Sequence, residues 1–328
     1  MQTPSAAGLH IPSPEAPASH GSQAVGSALV ANVGRVVLGK HHQIQLVMAG
    51  LLAGGHVLIE DSPGVGKTVL AKSVARSIEA SAGRVQGTAD LLPTDITGVT
   101  TYDQSTGEWR FRPGPLFHHV VLVDEINRAT PRAQSALLEA MAEGRATVDG
   151  TAHELPRPFF VIATENPLGD VGTFPLVEGQ LDRFAVAISL GLPAREAERA
   201  LLAGDGGNPE LDRLKPVVDP VGLQQAIEEI DRNVYVSTPV LEYVLDLAGT
   251  LRARSGGNGR GVSPRATLVL LRVAKAWAVL AGRSYVAPDD IQAVAGPVLA
   301  HRLLSVSGGA GNAQHLVDEA VATTPVRT

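Results

Sequence analysis

Eight consecutive residues, Asp61-Ser62-Pro63-Gly64-Val65-Gly66-Lys67-Thr68, combine small, basic and hydroxyl side chains in the order a phosphate-binding turn needs. The apolar run Val57-Leu58-Ile59 before them reads as a buried strand. Val69, Leu70, Ala71, Val74, Ala75 and Ile78 after them read as one face of a helix. A turn between such elements aims backbone N–H groups, and the positive end of the helix dipole, at an anion. Gly64 and Gly66 permit backbone angles and close approaches that a side chain blocks. Lys67 then reaches β- and γ-phosphates and the Thr68 hydroxyl reaches a bound Mg²⁺, which makes ATP with Mg²⁺ the expected ligand. Ser62, Pro63, Gly64, Val65, Gly66, Lys67, Thr68 and Val69 are the candidate nucleotide-binding residues. The full pattern has glycine where Asp61 stands, and a carboxylate there is suited to capping the loop.

A second constellation, Val120-Val121-Leu122-Val123-Asp124-Glu125, ends an apolar strand in two adjacent carboxylates. Alone, that is an ordinary exit from a buried strand. Behind a phosphate turn it suits an Asp124 that holds the metal and a Glu125 that polarises the attacking water. Phe160-Val161-Ile162-Ala163 runs into Thr164-Glu165-Asn166, so the Asn166 amide is a further candidate for positioning that water. Two arginines differ from ordinary surface cations. Arg265 follows Ser263-Pro264, a cap and first-turn pair, where the helix dipole disfavours a cation by roughly 0.3–1 kcal/mol. An anion arriving from elsewhere would offset that cost. Arg183, in Gln180-Leu181-Asp182-Arg183-Phe184, precedes the last strand of the core and is placed to project from a subunit edge toward a neighbour's γ-phosphate.

A parallel sheet wrapped by helices is the scaffold these groups require. Candidate strands at 56–60, 84–86, 120–123, 160–163 and 185–190 alternate with helical stretches, the α/β pattern. The expected organisation is a disordered tail at 1–23, a nucleotide-binding core at 24–203, a linker at 204–216, an all-helical lid at 217–305 and a C-terminal tail at 306–328. Within the core, Thr130, Pro131 and Gly144 delimit a helix that buries Leu137, Leu138 and Met141. Two hairpins are predicted: 98–102 with 108–112, carrying Tyr102 and Trp109, and 145–148 with 152–155 around Asp149-Gly150. In the lid, Leu241, Val244, Leu245, Ala248 and Leu251 form one helical face, and Leu268, Leu271 and Ala274 line the helix of Arg265. Trp277 reads as core, and Arg252, Arg254 and Arg260 as a solvated edge.

Composition excludes several classes. With 328 residues and 44% hydrophobic content, about two domains with a sizeable core are expected. Zero cysteines rule out disulfides, thiol nucleophiles and cysteine zinc sites. A net charge of −6 argues against a nucleic-acid partner. No apolar run approaches the roughly twenty residues of a membrane span, and the start of the chain has no basic-then-apolar secretory pattern, so cytoplasm is the expected location.

Taken in order, Gly64-Val65-Gly66-Lys67-Thr68, Asp124-Glu125-Ile126-Asn127-Arg128-Ala129, Ala163-Thr164-Glu165-Asn166-Pro167, Leu181-Asp182-Arg183-Phe184 and Ser263-Pro264-Arg265-Ala266 resemble the MoxR family of AAA+ ATPases. Leu91-Leu92-Pro93-Thr94-Asp95-Ile96-Thr97-Gly98 and Phe111-Arg112-Pro113-Gly114-Pro115-Leu116 are also similar to that family. The resemblance implies a sheet of order 5-1-4-3-2, a C-terminal helical lid and ring-shaped homo-oligomers, usually hexamers, with ATP at subunit interfaces. It makes Lys67 and Thr68 Walker A, Asp124 and Glu125 Walker B, Asn166 sensor 1, Arg183 the arginine finger and Arg265 sensor 2. Val37, Leu38 and Gly39 resemble the segment lining the adenine pocket, and the first hairpin resembles the helix-2 insert. Chaperone-like assembly or metal insertion, with a von Willebrand factor A (VWA) domain partner and a client protein, is the implied work. Glu165 replaces a common glutamine, Lys40 replaces another, and Val177 and Gly179 alter the stretch before Arg183. The alternatives are a P-loop kinase of a small molecule and a nucleotide-gated, chelatase-type motor subunit.

Overall fold

The computed structural model describes residues 20–62, 64–166, 172–193, 195–203, 209–255, 261–304 and 309–326. Five strands make one parallel sheet: β1 (His56–Glu60), β2 (Ala82–Gln86), β5 (Val120–Asp124), β8 (Phe160–Glu165) and β9 (Phe184–Ile188), in the order β2-β5-β8-β1-β9. Numbered among themselves, these strands have the expected order 5-1-4-3-2. The last strand starts and ends earlier than 185–190. Alternation along the strands explains the layering. Val57, Ile59, Leu122 and Ile162 face one apolar core, shared with the helices α1 (His20–Gly34), α2 (His41–Leu52) and α3 (Lys67–Ser77). Leu58, Val121, Val123 and Val161 face the other, with α5 (Pro131–Glu143). Thr130 caps α5 by accepting from the Ala133 N–H at 3.3 Å, and Gly144 ends it at φ 65°, as the sequence predicts.

The two hairpins lie outside this sheet. β3 (Gly98–Asp103) pairs with β4 (Glu108–Pro113), placing Tyr102 opposite Trp109 with ring centroids 5.3 Å apart. β6 (Arg145–Val148) pairs with β7 (Thr151–Glu154) around Asp149 and Gly150, both at positive φ, the geometry of a tight two-residue turn. His153 of the second hairpin stacks on Phe111 of the first at 4.0 Å, so the two are joined rather than independent.

Three expected segments and two helical faces are corrected. The tail at 1–23 ends sooner: α1 starts at His20, because Ser22 is buried and α1 packs on the lid as well as the core; residues 1–19 lie outside the described ones. The linker at 204–216 contains a short helix, α8 (Pro209–Arg213), tied to α3 by the Arg76–Asp212 ion pair; 204–208 lie outside the described residues. The lid does not end at 305. Helices α9 (Pro220–Asn233), α10 (Thr238–Arg254), α11 (Pro264–Leu280) and α12 (Pro288–Leu299) are joined by α13 (Ala310–Thr323), inside the predicted C-terminal tail. Ala313, Val317 and Ala320 of α13 are fully buried, an i, i+4, i+7 stripe too rich in alanine to read as a core face. In α10 the buried stripe is Val240, Tyr243, Val244, Leu247, Ala248 and Leu251, leaving Leu241 and Leu245 exposed. In α11 Leu270, Val273 and Ala274 face inward, while Leu268 is 60% exposed. Trp277 packs against the core, edge-on to His42. Arg254 pairs with Glu319 of α13, and Arg252 donates to the Val262 carbonyl; Arg260 lies outside the described residues.

Candidate nucleotide site

The phosphate turn leaves β1 and enters α3 with Gly64 at φ 87° and Gly66 at φ 96°, both in the region that favours glycine. No side chain caps α3, so its first N–H groups present themselves to an anion. A cavity of about 440 Å³ opens there, lined by Gly64, Gly66, Lys67, Thr68, Val69, Arg84, Gln86, Asp124, Glu125 and Thr164. Ser62 leads into the turn and Pro63 lies outside the described residues. Lys67 Nζ donates to the carbonyl of Asp61 and, at 3.0 Å, to that of Glu165. Burial lowers its pKa, against the raising influence of Asp61, Glu125, Asp124 and Glu165. Thr68 Oγ1 donates to Asp124 Oδ1 at 3.2 Å, so the two predicted metal-holding oxygens are neighbours.

Asp61 does not cap its own loop. Its Oδ2 accepts from the Leu190 N–H at 2.6 Å, the Gly191 N–H at 2.8 Å and Ser189 Oγ at 3.1 Å, tying the turn to the exit of β9. That exit leads toward a second cavity of about 210 Å³, lined by Val36, Val37, Leu38, Lys40, Gly64, Val65, Gly66, Val69, Pro193 and Ala197. Val37 and Leu38 stand there as predicted. Gly39, at φ 72°, makes the turn between them and Lys40, whose Nζ donates to the Leu192 carbonyl at 2.7 Å. Pro193 and Ala197 were not legible, because only the fold brings them across from more than 150 residues away.

Beyond β5, Glu125 sits at φ 56°, ψ 55°, a left-handed conformation rare for a residue other than glycine and concentrated at functional sites. Its N–H donates to Thr164 Oγ1 at 3.0 Å and its carboxylate pairs with Arg128 at 3.0 Å. Gly87 makes this possible, since a Cβ there would lie 2.0 Å from the Glu125 carbonyl. Arg84, which sequence reasoning missed, pairs with Asp124 Oδ2 at 2.8 Å from the adjacent strand. Its position two residues before the end of β2 was the available signal. Asn166 follows β8, with its carbonyl accepting from Asn127 Nδ2 at 3.0 Å. Glu165 is the register partner of Glu60. Burial, then the Glu60 charge, pushes the Glu165 carboxyl up to about 7, with Lys67 opposing, and burial also raises Glu60.

The structure separates the two predicted arginines from this site and brings them to each other. Arg183 and Arg265 line a third cavity, of about 270 Å³, with His56, Met141, Asp182 and Arg272. Arg183 also donates to the Leu138 carbonyl at 3.4 Å. His56 begins β1 and Glu60 ends it beside the phosphate turn, so roughly 13 Å of strand stands between the arginines and that turn. His56 accepts from the Val161 N–H at 3.1 Å and faces the Met141 carbonyl at 3.2 Å. Burial first, and the Arg265 charge as well, lower its pKa to about 4 against that carbonyl contact, so it stays neutral.

Comparison with known proteins agrees with this geometry. Residues 56–186 match the "ATPase family associated with various cellular activities (AAA)", and residues 259–320 match an AAA lid domain, reaching into α13. The chain is 37% identical to the chaperone MoxR1 of Mycobacterium tuberculosis over 83% of its own length and 74% of that protein. The chain belongs to the MoxR family of AAA+ ATPases. As such it binds nucleotide and hydrolyses ATP, which sets aside the small-molecule kinase reading. It is also 44% identical to YeaC of Bacillus subtilis, over 84% of this chain and 85% of that one. A crystal structure of a protein from Cytophaga hutchinsonii superposes with a TM-score of 0.82 at 31% identity, covering 95% of this chain and 98% of that one. Among the described residues, no helix is long and apolar enough to cross a membrane.

Proposed function

We propose that this ATPase works as a ring of identical subunits, hexameric as the family resemblance implies, in which each ATP is enclosed by two copies. The observation that carries the reading is the separation within one subunit: Lys67, Thr68, Asp124 and Glu125 stand at one end of β1, and Arg183 with Arg265 at the other. A neighbour turned so that its arginines meet this subunit's phosphate cavity satisfies both halves. The N–H groups of α3 and Lys67 hold the β- and γ-phosphates, with Lys67 exchanging its two carbonyl partners for phosphate oxygen. The donor set at Thr68 and Asp124 consists of oxygens and fits a hard dication such as Mg²⁺. When bound there, Mg²⁺ neutralises charge on the phosphate oxygens. Glu125 takes the proton of the attacking water, oriented by Asn166, as a new bond forms to the γ-phosphorus and the bond to the β–γ bridging oxygen breaks. Arg183 and Arg265 of the neighbour stabilise the charge that develops. Such arginines contribute roughly 10³–10⁵ in rate where measured in GTPases.

The energy released is spent, in this reading, on chaperone-like assembly, remodelling or metal insertion of a client protein, with a VWA-domain protein as adaptor. The joined hairpins support it by presenting Tyr102 and Trp109 to solvent outside the nucleotide core. A nucleotide-gated motor subunit of chelatase type is the second form of the same machine. Mixing Arg183→Ala with Glu125→Gln tests the shared site. Each protein alone is inactive, and the mixture regains ATPase activity because Arg183→Ala subunits receive an intact arginine from Glu125→Gln neighbours. No recovery at any mixing ratio defeats the reading.

A further inference from the structure

Asp182 lines the same cavity as the two arginines and is next to one of them in sequence. Its Oδ1 accepts from Arg302 Nε at 2.7 Å and its Oδ2 accepts from Ser263 Oγ at 3.4 Å. Arg302, just beyond α12, is 2% exposed, and the rest of its guanidinium donates to the carbonyls of Val298, Asp182 and Phe184, the last at 2.7 Å. Ser263 accepts from the Ala266 N–H at 3.0 Å and so caps α11, the helix whose second residue is Arg265. One carboxylate therefore joins the turn bearing Arg183, the helix start bearing Arg265, and the lid segment after α12. Moving the lid away from β9 would leave a buried guanidinium without its counter-charge, which is strongly disfavoured.

We propose that Asp182 is a positioning residue for hydrolysis in the neighbouring subunit, locking Arg183 and Arg265 into one rigid pair that core and lid deliver together. The proposal rests on the shared site above. Its consequence is that lid and arginine turn cannot respond to nucleotide separately, and any lid movement shifts both arginines at the neighbour's phosphate together. Because catalytic groups displaced by about 1 Å lose on the order of 10²-fold in rate, a loosened pair should be costly although each arginine is still present.

The test replaces the ion pair by apolar side chains of similar volume, Asp182→Leu with Arg302→Met, a change that buried pairs commonly tolerate in stability. The expected result is a single cooperative unfolding transition, at a lower temperature because Arg302→Met also removes donors to the Val298, Asp182 and Phe184 carbonyls, with unchanged affinity for a non-hydrolysable ATP analogue and ATPase activity lowered roughly 10–100-fold. Mixing the double variant with Glu125→Gln subunits, which bring an intact Asp182 and Arg183, restores activity. An unchanged rate overturns the proposal. So does a loss that Glu125→Gln cannot repair while the Arg183→Ala mixture recovers, since the damage then lies within the variant's own site. Failure of the Arg183→Ala mixture brings down the shared-site reading and this proposal with it. Should the double variant not fold, Asp182→Glu keeps the charge and lengthens the reach by one methylene, and a full wild-type rate there overturns the proposal equally.

Discussion

Replacing Glu165 by glutamine should stabilise the protein by an amount that depends on pH. Glu165 lies beside Glu60 across two parallel strands, under the carbonyl that holds Lys67, and burial carries its pKa from an ordinary 4.5 to about 7. In the unfolded chain the carboxyl ionises near 4.5, whereas the folded protein keeps its proton until about pH 7. Between those values the unfolded state binds fewer protons, so stability falls as pH rises through the window and is level above it. At 1.36 kcal/mol per pKa unit the full effect is about 3 kcal/mol, of which about 2.5 kcal/mol falls between pH 5 and pH 8. Glutamine has the shape without the proton. For a chain of this length 1 kcal/mol corresponds to about 2 °C, so the melting temperature of Glu165→Gln should gain roughly 5 °C on the wild type across that interval. Glu60 titrates in both proteins and largely cancels. The assay is thermal unfolding by circular dichroism without nucleotide, at half-unit steps of pH. A constant offset between the two proteins, or a gap that narrows as pH rises, refutes the reasoning.

Three further outcomes follow from the geometry. Lys67→Ala should abolish nucleotide binding in isothermal titration, because Lys67 is the cation that faces the phosphate cavity from the turn itself; undiminished affinity contradicts the site. Asp61→Gly, which restores the common glycine, should cost about 1–3 kcal/mol in urea unfolding by orphaning the amides of Leu190 and Gly191, while an unaltered midpoint counts against the tie to β9. Leu268→Asp, on the exposed side of α11 next to the arginine cavity, should leave monomer stability within about 0.5 kcal/mol yet weaken ring assembly in analytical ultracentrifugation, whereas Leu270→Ala should destabilise by about 2–5 kcal/mol. Equal effects of the two on unfolding contradict the assigned faces.

Much of the chemistry was local and therefore readable. Gly64, Gly66, Lys67 and Thr68 are consecutive or nearly so, and a strand ending in Asp124 and Glu125 needs only its own hydrophobicity to be recognised. Four of the five strands declared themselves by apolar runs, since a parallel sheet covered on both faces has no polar alternation to confuse with a helix, whereas β2 at the sheet edge buries only Val85. Helical faces in the lid were harder. Leu241, Leu245 and Leu268 are apolar but exposed, while the small alanines of α13 fill the core, so hydrophobicity by itself pointed the wrong way.

The sequence by itself determined which groups are on offer here, a turn suited to a nucleotide's phosphates and oxygens suited to a divalent cation and to a water, because those features reside in side-chain types at short spacing. Tertiary structure decided where each group acts. Only the folded sheet puts Arg84 against Asp124, Asp61 against the exit of β9, Glu60 against Glu165, and Arg183 with Arg265 at the far end of β1 from Lys67. Those pairings join residues tens to more than a hundred positions apart, and strand order and register, set by packing across the whole domain, are what bring them together.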